Sequence, residues 1–120
     1  MSIKLIAQRA PFFIVITYIT FASLMPMPEF IGPTIWDKAL HFVGYAGLCF
    51  LGYIAFPNFG WKMAAFVVLW GIGIELAQIP VPGRLFEWGD VLANSLGALA
   101  GWASFVAMCK IYLRFWPQKA

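Results

Sequence analysis

Trp61-Lys62-Met63-Ala64-Ala65-Phe66-Val67-Val68-Leu69-Trp70-Gly71-Ile72-Gly73-Ile74-Glu75-Leu76-Ala77-Gln78-Ile79-Pro80 is an almost uncharged apolar run. Its only charges are Lys62 at one end and Glu75 about one turn inside the other. The stretch has close to the ~20 residues that a helix needs to cross the hydrocarbon core of a bilayer. It shows no strict alternation of apolar and polar residues, so a barrel strand does not fit. In lipid a helix is then the structure that satisfies its own backbone. Working outward, three more segments read the same way. They run from about Ala10 to Met25, from about Leu40 to Phe56, and from about Val91 to Leu113. Prolines separate them at Met25-Pro26-Met27-Pro28, Pro57-Asn58 and Pro80-Val81-Pro82. The expected architecture is all-α: one domain over residues 1–120, a bundle of four transmembrane helices with spans near 10–25, 40–56, 61–79 and 91–113.

Composition agrees. Of 120 residues, 62% are hydrophobic and 11% charged, where a soluble domain carries about a quarter charged residues. The mean hydropathy is +0.83. A net charge of +3 would suggest nucleic acid in a soluble protein. Here there is no basic run or basic helix face, and Lys and Arg flanking spans account for it, so nucleic-acid binding is not expected. Cys49 and Cys109 sit in apolar segments without zinc-type spacing, which gives neither a disulfide framework nor a cysteine metal centre. The first segment follows Lys4 and Arg9, but its apolar run is long for a signal peptide and no small-residue cleavage site follows. It reads as an uncleaved helix.

The charges are one-sided. Lys4, Arg9, Lys62, Lys110, Arg114 and Lys119 occupy one side, with no acidic residue. Glu29, Asp37, Glu75, Glu87 and Asp90 fall on the other, together with Lys38 and Arg84. The positive-inside rule then places both termini in the cytoplasm and the acidic loops outside. Glu29 only flanks a span. Three helices carry a polar pair at the acidic end: Asp37 and His41 four apart, Glu75 and Gln78 three apart, Asp90 and Asn94 four apart. Such spacings place both members on one helix face. An intramembrane carboxylate such as Glu75 costs several kcal/mol unless paired, which marks it as a functional candidate. Ala93, Gly97 and Gly101 allow the close helix approach that would draw these pairs together. Arg84 offers a planar donor fork above them. Read singly, each pair is also an ordinary cap or interhelical hydrogen bond, and structural glue remains an alternative.

These residues resemble the VanZ-like family of small bacterial membrane proteins. The resemblance rests on Asp37-Lys38-Ala39-Leu40-His41-Phe42, Glu75-Leu76-Ala77-Gln78, Pro82-Gly83-Arg84 and Gly89-Asp90-Val91-Leu92-Ala93-Asn94-Ser95-Leu96-Gly97, in that order over Asp37 to Gly101. The first span and the C-terminal tail carry no such signature. The resemblance implies a multi-pass protein of the bacterial cytoplasmic membrane with a cell-envelope role. Its name-giving member is associated with low-level resistance to the glycopeptide teicoplanin, and no family mechanism transfers residue by residue.

Two functions suit the cluster. In one, it binds a lipid, a lipid-linked component or a glycopeptide, with Arg84, Asp90, Asn94 and Gln78 as binding residues. In the other, the chain is an enzyme of acyl or phosphoryl transfer on an amphiphile. There His41 is the general base, oriented by Asp37, Glu75 is a second acid/base group, and Arg84 steadies developing negative charge. No nucleophile is placed in the cluster by sequence, since Ser95 falls off the face. No cofactor is expected and no metal site is assigned, although carboxylate oxygens of Asp37, Glu75 and Asp90 suit Mg²⁺ or Ca²⁺. Oligomeric state is not readable from the sequence.

Overall fold

Ser2 starts the first helix, its hydroxyl accepting a hydrogen bond from the Leu5 N–H at 3.3 Å. The computed structural model describes residues 2–27 and 35–116; the expected flanking roles of Glu29 and Lys119 lie outside them. Helix α1 spans Ile3–Leu24, α2 Ile35–Ala55, α3 Trp61–Gln78 and α4 Trp88–Phe115. A single 3₁₀ turn, Pro57–Phe59, links α2 to α3. No strand occurs among the described residues, and all four helices are long and apolar enough to cross a membrane. Large apolar side chains such as Tyr18, Leu40, Leu69 and Leu92 stay exposed on the outer faces, as lipid-facing positions do.

The helix limits extend the sequence expectation at four ends. Helix α1 begins at Ile3, not near Ala10, α2 at Ile35, not near Leu40, and α4 begins at Trp88, not near Val91, and runs on to Phe115. Hydropathy locates the apolar stretch, whereas a helix continues into polar flanks that can serve its ends. Asp37 accordingly lies within the first turn of α2 rather than before it.

Neighbouring helices alternate in direction. Gln8, near the start of α1, donates to the carbonyl of Ile54 at the end of α2. Trp70 of α3 donates to Thr20 of α1 at 3.1 Å, and Tyr53 stacks on Phe105 of α4. Both described termini therefore emerge at the same end of the bundle, with Lys4, Arg9, Lys62, Lys110 and Arg114. The core is Phe12, Ile16, Tyr45, Leu48, Cys49, Met63, Val67 and Ala98. Helices α2 and α4 run side by side in backbone contact: a Cβ at Gly97 would collide with the Phe42 carbonyl, and one at Gly101 with that of Ala46. This close approach carries the first turns of α2 and α4, with their ionisable side chains, against each other.

Candidate functional site

At the acidic end, His41 sits between two helices that each supply it a partner. Its Nδ1 lies 2.9 Å from Asn94 Oδ1. Its Nε2 faces Asp90 Oδ2 at 3.7 Å and Asp37 Oδ1 at 4.0 Å. An amide oxygen only accepts, so with Asn94 in this orientation Nδ1 carries the proton. Asp90 and Asn94 are buried, one turn apart on α4. The expected i, i+4 pairs of α2 and α4 thus meet as one group.

Lys38 completes this layer. Its ammonium contacts Glu87 Oε2 at 2.8 Å and Asp90 Oδ1 at 3.1 Å. Sequence reasoning passed over Lys38 as a site residue, although it stands beside Asp37 on the side that holds every acidic residue. Glu87 is the N-cap residue of α4, and its N–H donates to Glu75 Oε2 at 3.3 Å. Glu75 is wholly buried, 0% exposed. A carboxylate there lies against the positive end of the α4 dipole, which partly offsets its burial. Its Oε1 has no hydrogen-bond partner among the described residues, and the same holds for Tyr45 Oη and Asn94 Nδ2.

Gln78 and Arg84 turn toward α1. Gln78 donates to the Ser23 carbonyl at 2.9 Å. Arg84 donates from Nε to the Met25 carbonyl at 3.0 Å and from Nη2 to the Ala22 carbonyl at 2.8 Å. The last carbonyls of a helix have no intrahelical partner. Here a side-chain amide and a guanidinium supply them, at the negative end of the α1 dipole. Gly83 makes the approach possible: its φ of 77° places it in the left-handed region, and a Cβ there would collide with the Met27 carbonyl. A backbone bond from Met27 N to Pro82 O at 3.0 Å closes the same contact. Arg84 was expected above the polar pairs with its fork open. Two of its nitrogens are instead committed to the end of α1.

A cleft of about 360 Å³ lies between the ends of α1 and α2. Asp37, His41, Gln78 and Arg84 supply its polar lining, and Ile19, Leu40, Val43 and Gly44 part of its apolar lining. Glu75, Asp90 and Asn94 are buried and do not line it. Of the seven residues singled out by sequence, four therefore share the cavity and two more, Asp90 and Asn94, hold His41. Glu75 joins through the α4 N-terminus. The cleft also receives Tyr18, Ala22 and Ser23 of α1, the helix without any signature. Among the described residues Ser23 is the one aliphatic hydroxyl in its lining. A larger groove of about 850 Å³ between α1 and α3 includes Phe12, Ile16, Phe66 and Trp70, and among the described residues no ionisable side chain lines it. It suits hydrocarbon and offers no chemistry.

The family model described as VanZ/LLP1 matches residues 2–111. No curated protein and no solved structure matches the chain. With four apolar helices and a match across nearly the whole sequence, the chain is a multi-pass membrane protein that belongs to the VanZ/LLP1 family.

Proposed function

We propose that the cleft between α1 and α2 receives the polar head of an amphiphilic envelope component, which reaches it sideways from the bilayer. The carrying observation is the lining itself: a carboxylate, an imidazole, an amide and a guanidinium share about 360 Å³ with aliphatic side chains. The lining residues Tyr18, Leu40 and Val43 are 71%, 72% and 65% exposed on the lipid-facing surface. An amphiphile can thus lodge its head among Asp37, His41 and Gln78 while its chains stay in lipid. The distribution of Lys and Arg supports placing this end on the outer face of a bacterial cytoplasmic membrane.

Gly44 gives the test. A Cβ there meets only Ile19 Cδ1, at 3.6 Å, an ordinary contact. Gly44→Ala therefore keeps the fold, and Gly44→Leu fills the cleft. Short-chain phosphatidylglycerol, phosphatidylethanolamine, an alkyl glucoside and teicoplanin serve as probes of the purified protein. At least one binds wild type and the Ala variant, and is lost in the Leu variant. Absence of binding by all four, or binding indifferent to Gly44→Leu, refutes the reading. The link to teicoplanin resistance is read separately, as growth of expressing cells at graded antibiotic concentrations.

A second reading, catalysis on the bound amphiphile, is favoured by Asn94, which orients the His41 ring through Nδ1. An imidazole oriented through Nδ1 presents Nε2 as a general base. Turnover of a bound probe that disappears with His41→Ala, while binding persists, separates this from recognition alone.

A further inference from the structure

The polar layer has the form of a cation site. Asp37, His41 and Asp90 each offer one ligand atom, and these atoms lie within 4.8 Å of one another. From Nε2 of His41 the two carboxylate oxygens are 3.7 and 4.0 Å away. Two ligands bound at about 2.1 Å to one first-row ion lie about 3.4 Å apart in a tetrahedron and at most about 4.2 Å. A small rotation of the half-exposed Asp37 side chain closes the remaining difference.

Two observations point to an ion rather than to a chance grouping. Asn94, 1% exposed, accepts from Nδ1–H at 2.9 Å, which in the neutral imidazole turns the Nε2 lone pair toward two carboxylates. Lone pair against anion is repulsive until a cation stands between them, and such a fixed tautomer is the usual outer support of a metal-binding histidine. Secondly, Glu75 is fully buried with Oε1 unpartnered, and lies within electrostatic reach of His41 and Asp90. A divalent charge in this layer would offset a carboxylate that Lys38 alone does not reach. Lys38 takes Asp90 Oδ1 and leaves Oδ2 turned toward His41. The cleft reaches Asp37 and His41, so positions remain open for water or for a ligand.

We propose that Asp37, His41 and Asp90 bind one first-row divalent ion, Mn²⁺ or Zn²⁺, with Asn94 orienting His41. An imidazole beside two carboxylates suits these ions better than Mg²⁺ or Ca²⁺. His41 thus takes the ligand position that carboxylate spacing alone would give to Glu75. The assignment does not rest on the amphiphile reading.

The test uses the full chain in detergent, stripped with a chelator and titrated with Mn²⁺, with Zn²⁺ as competitor. Wild type binds one ion per chain, and the bound Mn²⁺ shows electron–nuclear coupling to one imidazole nitrogen. Asn94→Ala weakens binding about 10- to 100-fold, as loss of an outer-shell partner does. His41→Ala abolishes the nitrogen coupling, and Lys110→Ala changes nothing. The wild-type spectrum needs no variant to fold. Failure of wild type to bind either ion stoichiometrically, or bound Mn²⁺ without nitrogen coupling, overturns the proposal.

Discussion

Replacing Arg84 by alanine removes both hydrogen bonds that fasten the α3–α4 loop to the end of α1, those to Ala22 at 2.8 Å and Met25 at 3.0 Å. Hydrogen bonds between membrane helices average about 0.6 kcal/mol and reach about 1.7. A guanidinium donor would be stronger in a dry site, but the Met25 bond is solvent-exposed and belongs at the lower end. Summed, Arg84→Ala costs about 1–3 kcal/mol. Arg84→Lys keeps a cation near the α1 carbonyls without the fork that reaches two of them, and recovers roughly half of that loss. Denaturant titration of the protein in bicelles measures both. The Met27 amide, held by Pro82 at 3.0 Å, exchanges its hydrogen faster in Arg84→Ala. Unchanged unfolding and exchange, combined with loss of probe binding, would refute this reasoning and return Arg84 to the role of a ligand contact.

Three further outcomes are expected. Gly97→Leu drives a side chain into the Phe42 carbonyl and separates α2 from α4, costing at least about 1–3 kcal/mol in the same unfolding assay. Lys38→Met leaves Glu87 and the buried Asp90 without their shared cation. A buried pair broken on one side costs about 3–5 kcal/mol, but Lys38 is 34% exposed in its side chain, so about 1–2 kcal/mol is expected. With Cys49 and Cys109 replaced by alanine, Val81→Cys reacts with a membrane-impermeant maleimide in intact cells and Ser2→Cys does not. The reverse pattern inverts the proposed orientation.

The four spans were legible because each is a long apolar run set off by prolines or charged residues, a signal that depends on nothing distant. The pairs Asp37/His41 and Asp90/Asn94 were equally legible, since helical spacing puts each on one face, and Gly97 with Gly101 announced the contact that unites them. The starts of α1 and α2 were not, because Lys4, Asp37 and Lys38 continue a helix that hydropathy ends too soon. The destination of Arg84 was hidden for a different reason. Its acceptors are main-chain carbonyls of Ala22 and Met25, which leave no mark in the identity of those residues. The α1 side of the cleft was invisible likewise: Ile19, Ala22 and Ser23 carry no motif, and only tertiary approach brings them opposite His41.

If the cleft receives an amphiphile, as proposed, it selects that amphiphile from the membrane around it. A photo-crosslinking amino acid at Val43, on the cleft, and another at Leu92, 60% exposed on α4 and outside the cleft, test this in cell membranes. Mass spectrometry of the adducts reads which headgroup each position meets. One headgroup class is expected to be enriched at Val43 over Leu92, with the enrichment lost on adding Gly44→Leu. Equal adducts at both positions, matching the bulk lipid composition, would contradict it.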